Sequence, residues 1–142
     1  MQDSSKYPNI ETCNPSTCIS GNIRKSNRII ANIFRKHLKP FDITDSQLSI
    51  LFVVTKGSSI TQKRISELLY LEKSTVNRNL TRLIEKNFIS ANSDSFLFTT
   101  ENGQAFLESI IPHWNNAMTE VRGILGTNGE NAINLVLSKL SK

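Results

Sequence analysis

The sequence TQKRISELLYLEKSTVNRNLTRLIEK, residues 61–86, decides the fold. Thr61 is a typical N-cap and predicts the start of a short helix. A brief turn at residues 70–72 leads into a second helix, which we expect to run from Lys73 to about Lys86. The predicted buried sides are Ile65, Leu68 and Leu69 in the first helix and Val76, Leu80, Leu83 and Ile84 in the second. Two short helices joined by a tight turn predict a helix-turn-helix.

The outer face of the second helix carries side chains suited to reading DNA. Hydroxyl, amide and guanidinium groups near the N-terminus of such a helix bond to base edges in the major groove. The candidate base-reading residues are Ser74, Thr75, Asn77 and Arg78. The candidate phosphate-binding residues, which would position the protein without specifying sequence, are Lys63, Arg64, Lys73, Arg82 and Lys86. A polar helix face that meets only water is the alternative interpretation.

Two β-prone runs follow, at residues 88–91 and 96–99, with Asn-Ser-Asp-Ser at 92–95 between them. This pattern predicts a hairpin, and a hairpin directly behind such a helix makes a helix-turn-helix winged. Residues 89–100 contain no lysine or arginine, so we expect the wing to contribute little to DNA binding. We expect the Asp94 carboxylate to cap the turn by bonding to nearby backbone amides.

The segment before the lobe is predicted to be helical. Asn14-Pro15 predicts the start of a helix of about 20 residues that ends before Pro40. Thr44 and Gln47 have the spacing of a capping box, and they open a core helix that stops at Gly57.

The segment after the lobe is also predicted to be helical. Thr100 predicts a long helix, which Pro112 should kink, and Thr127 with Glu130 has the spacing of a capping box for a terminal helix. The apolar stripes of the two ends exceed what a 142-residue monomer would bury, so we expect a homodimer. The expected fold class is mainly α (α+β), a single domain over residues 1–142. Its parts are a winged helix-turn-helix lobe at about 41–100 and long dimerisation helices at about 13–40 and 101–142.

Composition is that of an ordinary globular protein, with 38% apolar and 20% charged residues. No apolar run approaches the roughly 18 residues of a membrane span, and residues 1–10 lack the apolar core of a signal peptide. We therefore expect a cytoplasmic protein without membrane contact. The net charge is +5, with seven basic and two acidic residues in 1–40 and six basic and three acidic in 60–88. Such segments favour a polyanion, although solvated surface lysines would give the same counts.

No residue pattern typical of an enzyme, a metal site or a cofactor site is evident. The sequence shows no paired carboxylates in a cleft motif, no phosphate-binding glycine loop and no Ser/His/Asp arrangement. Cys13 and Cys18, with the distant His37 and His113, do not make four closely spaced zinc ligands. We expect no enzymatic activity, no metal and no cofactor.

Residues 41–103 resemble the MarR family of bacterial transcription regulators. The segment 43–51 is similar to the family's L-T-x-x-Q-x-x-x-L signature, and 59–69 to its I-T-Q-x-E-L-A helix. LEKSTVNRNL at 71–80 is similar to the recognition helix D-x-S-T-V-T-R-x-L, and FTTENG at 98–103 to a later helix start. The flanks 18–28 and 111–114 resemble a subgroup with C-x-C-x-N-L-R and P-x-W motifs, with Ser20 where the subgroup has its second cysteine.

The resemblance implies a transcription regulator, most simply a repressor, that acts as a homodimer on double-stranded DNA. The first and the last two helices would interlock with those of the partner, leaving two winged lobes to bind a pseudo-palindromic operator. The wing departs from the family pattern, because the family's Asp-x-Arg becomes Asp94 followed by Phe96. A winged helix that binds protein instead of DNA is therefore the alternative function.

The resemblance also suggests two means of regulation. Some members sense oxidants through a cysteine in the first helix, which makes Cys18 and Cys13 candidate redox-sensing residues, and a thiol in the first turns of a helix near cations is a typical reactive setting. An ordinary thiol is the simpler interpretation. Some members bind a small aromatic effector between helices, although Phe34, Trp114 and Met118 are more simply core or dimer-interface residues.

Overall fold

The computed structural model describes residues 6–141; residues 1–5 and 142 of the predicted 1–142 domain lie outside the described part. The elements in chain order are α1 (Pro8–Thr12), a 3-10 turn (Pro15–Thr17), α2 (Ile19–Leu38), α3 (Asp45–Lys56), α4 (Gln62–Leu69), α5 (Lys73–Glu85), β1 (Ile89–Ala91), β2 (Leu97–Thr99) and α6 (Glu101–Leu140). The fold is a mainly helical winged helix with one small antiparallel sheet, as the sequence predicted.

The start of α2 differs from the prediction. Asn14 does cap a turn, since its side chain accepts a hydrogen bond from the amide of Ser16, but the turn is a short 3-10 helix. The long helix begins four residues later with Cys18 as its N-cap, whose Sγ accepts from the Gly21 amide at 3.3 Å. Its length is 20 residues, as predicted.

The winged lobe forms from α3, α4, α5 and the hairpin. The predicted capping box is present at the start of α3, because the Thr44 and Gln47 side chains and backbones bond reciprocally. Thr61 caps α4 through the Arg64 amide. Seven side chains are almost fully buried in the lobe and its junction with α6: Ile50, Leu51, Ile65, Val76, Leu83, Ile89 and Ile110. Leu68 and Ile84 were predicted to be buried, and both are exposed because they lie at the edges of their helices' apolar faces.

The hairpin has an additional partner that the sequence pattern did not predict. β1 pairs with β2 so that Ala91 faces Leu97, and Leu97 also forms an isolated bridge with Ile60, donating its amide to the Ile60 carbonyl at 2.8 Å. The Thr55 and Thr99 hydroxyls lie 2.6 Å apart, which ties β2 to α3. The hairpin is therefore attached to the residue before the N-cap of α4 and to the core helix.

α6 continues through Pro112 and is interrupted at Gly126, the one residue inside it with non-helical angles (φ 67°, ψ 178°). The break thus lies immediately before Thr127, where the sequence predicts the terminal helix to begin, and the backbone angles at Pro112 are helical. Glycine tolerates this left-handed φ at little cost. The Glu130 carboxylate, predicted to complete a capping box, accepts hydrogen bonds from Arg122 Nε at 3.1 and 3.2 Å across the break.

Candidate nucleic-acid interface

The outer face of α5 is polar, cationic and open to solvent. Its inner face is anchored in the core by Val76, Leu80 and Leu83. The exposed residues of the opposite side are Lys73, Ser74, Asn77, Arg78, Thr81 and Arg82, and Thr75 is half-buried. The residues predicted to read bases therefore share one accessible helix face.

The start of α5 leaves backbone donors available. Tyr70 adopts the left-handed conformation (φ 54°, ψ 38°) and ends α4, which makes the turn tight. The N-cap of α5 is Glu72, whose side chain makes no capping hydrogen bond. The first amides of a helix have no intrahelical partner and attract anions such as phosphate. The N-terminal end of α5 can therefore accept a phosphate next to Ser74.

Two asparagines on α5 differ in what they can offer a ligand. Asn79 is half-buried and donates from Nδ2 to the Thr75 carbonyl at 3.0 Å, so its amide serves the helix. Asn77 is exposed, and the Thr81 hydroxyl donates to the Asn77 carbonyl at 2.9 Å. Of the two, Asn77 has the side-chain amide that can reach a base or a phosphate.

The predicted phosphate-binding cations differ in the partners that they already have within the chain. Lys63 and Arg82 are exposed. Arg64 is exposed but lies 3.3 Å from the Glu67 carboxylate. Lys86 donates from Nζ to the backbone carbonyl of Asp42 and lies 3.7 Å from its carboxylate. Lys86 thus holds the end of α5 to the loop after α2, a partnership across 44 residues that no local sequence signal marks.

The wing turn is organised by Asn92. The Asn92 side-chain oxygen accepts hydrogen bonds from the Asp94 and Phe96 amides, both at 3.0 Å. The expectation that the Asp94 carboxylate caps the turn is wrong, because Asn92 stands at the position from which a side chain faces both amides. The wing tip therefore presents an exposed Asp94 and no cation.

The cysteines and histidines lie away from this face. Cys13 and Cys18 are free and exposed near the start of α2. His113 packs edge-on against the Phe41 ring, 5.0 Å between centroids. His37 Nε2 is buried and lies 3.5 Å from the Glu120 carboxylate. Within residues 6–141, no group of three or more His, Cys, Asp or Glu side chains is placed to hold a metal ion, and no helix is long and apolar enough to cross a membrane.

A hollow of about 220 Å³ lies where α2, α3 and α6 meet. Phe34, Leu48, Phe52 and Trp114 supply most of its apolar wall, and the Phe52 and Trp114 rings pack at 5.6 Å. Asn27, Asp45 and Ser49 add polar groups. The sequence predicts Phe34 and Trp114 as core or dimer-interface residues, whereas Asn27 and Ser49 could not be predicted to line the hollow, because a polar residue on a helix carries no signal of what it faces.

Comparisons with known proteins agree with this architecture. The MarR family model matches residues 41–95. An uncharacterized HTH-type transcriptional regulator of Bacillus subtilis (strain 168), YwoH, is 36% identical over 67 residues, 47% of this chain. The chain spans about half the length of that relative (49%).

Two solved structures share the fold. The first is BpsR of Bordetella bronchiseptica, whose DNA binding is regulated by 6-hydroxynicotinic acid; its TM-score is 0.78 at 17% identity, with 90% of this chain and 97% of that chain covered. The second is the reduced form of MarR from E. coli, with a TM-score of 0.70 at 22% identity and coverage of 87% and 92%.

Proposed function

We propose that this chain, whose residues 41–95 match the MarR family model, is a DNA-binding transcription regulator that acts as a homodimer. The observation that carries the proposal is the accessible α5 face. Ser74, Asn77 and Arg78 lie beside a helix N-terminus without a side-chain cap, and their helix is anchored by buried apolar residues.

The side chains of this face divide into those suited to contact bases and those suited to contact phosphates. Arg78 can donate two parallel hydrogen bonds to a guanine edge, and Asn77 can bond in the same bidentate way to an adenine edge. The Ser74 and Thr75 hydroxyls can donate to or accept from either purine. Lys63, Arg64, Lys73 and Arg82 would bind phosphates and set the register. Lys86, already held by Asp42, would act chiefly by fixing the end of α5.

A mobility-shift experiment on the chain's own upstream DNA tests the proposal. Wild-type protein should prefer this DNA to a scrambled duplex. If the dimer neutralises 6–10 phosphates, its affinity should fall by roughly 10³–10⁵ between 50 and 200 mM salt. Arg78→Ala should lower the preference by about 1–3 kcal/mol. Lys63→Ala, the matched control, should weaken binding to both duplexes equally.

Equal affinity of wild-type protein for all duplexes would refute sequence-specific DNA binding. It would favour the alternative of a protein-binding winged helix, whose support is the absence of a cation from residues 89–100. An unchanged preference in Arg78→Ala would mean that Arg78 lies outside the interface.

The homodimer is supported by the apolar side chains that the ends of the chain leave exposed. The large exposed hydrophobic residues of α2 are Ile19, Ile23 and Ile29, and those of α6 beyond Val121 are Ile124, Ile133, Leu135, Val136, Leu137 and Leu140. Leu140 is 71% and Ile124 68% exposed. Burying one such side chain stabilises a complex by roughly 1.5–3 kcal/mol, so a second copy covering these faces gives a strong association.

Sedimentation tests the dimer. Wild-type protein should sediment as twice the 16.0 kDa chain at micromolar concentration. Leu137→Glu should dissociate the dimer, because it places a charge in the apolar face. Ser138→Glu adds the same charge one residue on and should leave the dimer intact. A wild-type monomer would refute the proposal.

We also propose that the hollow between α2, α3 and α6 binds a small aromatic molecule as an effector. Aromatic walls from Phe34, Phe52 and Trp114 and polar groups from Asn27 and Ser49 suit a ring with a polar substituent. A panel of hydroxylated aromatic acids should raise the melting temperature of the wild type, and Trp114→Ala should remove that shift. Oxidant sensing by Cys18 or Cys13 stays a prediction that blocking both exposed thiols before the mobility shift would test.

A further inference from the structure

The most strongly charged surface outside the α5 face runs along α2. Four cations occur at spacings of four, seven and four residues: Arg24, Arg28, Arg35 and Lys39. At 100° per residue they fall within an arc of about 60°, and they extend over about 22 Å of helix. Lys39 belongs to the same face, because its backbone is still helical (φ −52°, ψ −37°). We call this face the basic stripe.

The basic stripe is exposed and carries no neutralising partner. All four side chains belong to exposed residues, and no Asp or Glu occurs between Glu11 and Asp42. The ion pairs within residues 6–141 take Lys36, His37, Arg64, Lys86 and Arg122, and none of them takes a stripe residue. Like charges four residues apart on a helix destabilise it. The four cations therefore lower the stability of α2, and no acidic residue of α2 offsets that repulsion.

Two of the guanidinium groups are held in place by neutral acceptors. Arg24 donates from one terminal nitrogen to the Ser20 hydroxyl at 2.6 Å, and Arg35 does the same to Asn32 Oδ1 at 2.6 Å. Each group keeps its full charge and further N–H donors. Arginine held in this way is suited to bind phosphate oxygens.

The position of the basic stripe on α2 would leave it accessible in a dimer formed through the apolar side of that helix, and its C-terminal end lies near the recognition helix. It lies roughly opposite the apolar side of α2, where Ile29 and Ile33 line a groove against Val121 of α6. The C-terminal end of the basic stripe is Lys39, three residues before Asp42. Three residues of extended chain span at most about 11 Å, so the two residues lie close together. Asp42 holds Lys86 at the end of α5. The stripe therefore begins beside the C-terminal end of the recognition helix.

We propose that the basic stripe binds phosphates of the same operator duplex whose major groove α5 reads. This inference rests on the proposed function and extends it to a surface outside the winged lobe. The absence of acidic residues along α2 and the position of Lys39 three residues from Asp42, which holds the end of α5, favour the phosphodiester backbone of the same duplex as the partner. Such contacts add affinity without sequence preference.

The test measures how operator affinity depends on salt in Arg28→Gln/Arg35→Gln. Each phosphate contact contributes about 0.9 to the slope of log K against log salt. The variant removes four charges per dimer, so its slope should become shallower by about 2–4, with roughly 10- to 100-fold weaker binding to operator and scrambled DNA alike. Lys56→Gln/Lys139→Gln, which removes the same charge from exposed positions elsewhere, should keep the wild-type slope. Arg28→Lys/Arg35→Lys should also keep most of it.

An unchanged slope in the Arg28/Arg35 variant would overturn the inference, and so would an equal change in the Lys56/Lys139 control, which would reflect net charge alone. If the double variant does not dimerise, the single variants Arg28→Gln and Arg35→Gln decide, each with an expected change of about 1–2. The proposed function fails separately, when wild-type protein shows no preference for any duplex.

Discussion

Gly103 offers a sharp test of how the wing is joined to α6. It is the third residue of α6 and is buried. A Cβ built on Gly103 would lie 2.3 Å from the Phe88 carbonyl oxygen and 2.7 Å from Thr99 Cγ2. The Phe88 carbonyl already accepts a hydrogen bond from the Thr100 amide at 2.9 Å. Backbone that is held in this way yields less readily than a flexible side chain, so Gly103→Ala should push α6 away from the hairpin.

Overpacking of a core costs about 1–3 kcal/mol and occasionally more. Because one of the two contacts is with backbone, we expect Gly103→Ala to lower the free energy of unfolding by about 2–4 kcal/mol. For a chain of this size, that corresponds to a fall in Tm of about 5–15 °C. The matched control is Gly123→Ala in the same helix, where a Cβ meets nothing within 4 Å. It should raise stability by about 0.5–1 kcal/mol, because alanine loses less backbone entropy in a helix.

Thermal melts and urea titrations followed by circular dichroism measure both variants. The protein concentration must be the same throughout, since Tm depends on it for a dimer. A Gly103→Ala protein that melts within about 1 °C of the wild type would refute the close approach of α6 to the hairpin. A Gly123→Ala protein destabilised as much as Gly103→Ala would refute the assignment of the effect to packing.

Three further outcomes are expected. The Lys36 ammonium, 2.6 Å from Glu120, lowers the pKa of that carboxyl below its ordinary 4.5. The stabilisation from this ion pair is therefore present above pH 4.5 and is lost as pH falls through the lowered pKa. Glu120→Gln should be less stable than wild type at neutral pH and equally stable in acid. An equal difference in unfolding free energy at both pH values would contradict this. Replacement of residues 92–96 by Asn-Gly, which keeps Ala91 opposite Leu97, should change operator affinity less than about threefold, ~0.7 kcal/mol; a hundredfold loss in a folded dimer would show that the wing binds DNA. Gly126→Ala should cost about 1–3 kcal/mol, because alanine is strained at φ 67°, and an unchanged urea midpoint would place the break elsewhere.

Elements marked by local chemistry were predictable from the sequence. Thr44 with Gln47, Thr61 and Thr100 each stand where a helix begins, and each bonds the backbone amide three residues on. The periodicity of α5 correctly predicts the buried residues Val76, Leu80 and Leu83, because a 3.6-residue repeat maps directly onto a helix surface, and it fails at Ile84 on the edge of that face.

Features that depend on contacts distant in sequence could not be predicted. The bridge from Leu97 to Ile60 and the Lys86–Asp42 interaction join residues 37 and 44 positions apart. The break in α6 lies at Gly126, beside the helix start that Thr127 predicts, but the contact from Arg122 to the Glu130 carboxylate could not be predicted from that local pattern. Asn92, not Asp94, organises the wing turn, because the choice depends on which side chain faces the two amides.

The attachments of the hairpin determine how many degrees of freedom the lobe has. β2 is bonded to Ile60 ahead of α4 and to Thr55 on α3, and Thr100 at the start of α6 donates to Phe88 ahead of β1. Elements fastened to one another at several points move as one body, so large backbone rotations concentrate at the few residues that join such bodies. A ligand bound among α2, α3 and α6 would therefore change the separation and tilt of two intact lobes. Such a ligand would therefore change which half-site spacing the dimer can bind, more than it would change the shape of either α5 surface.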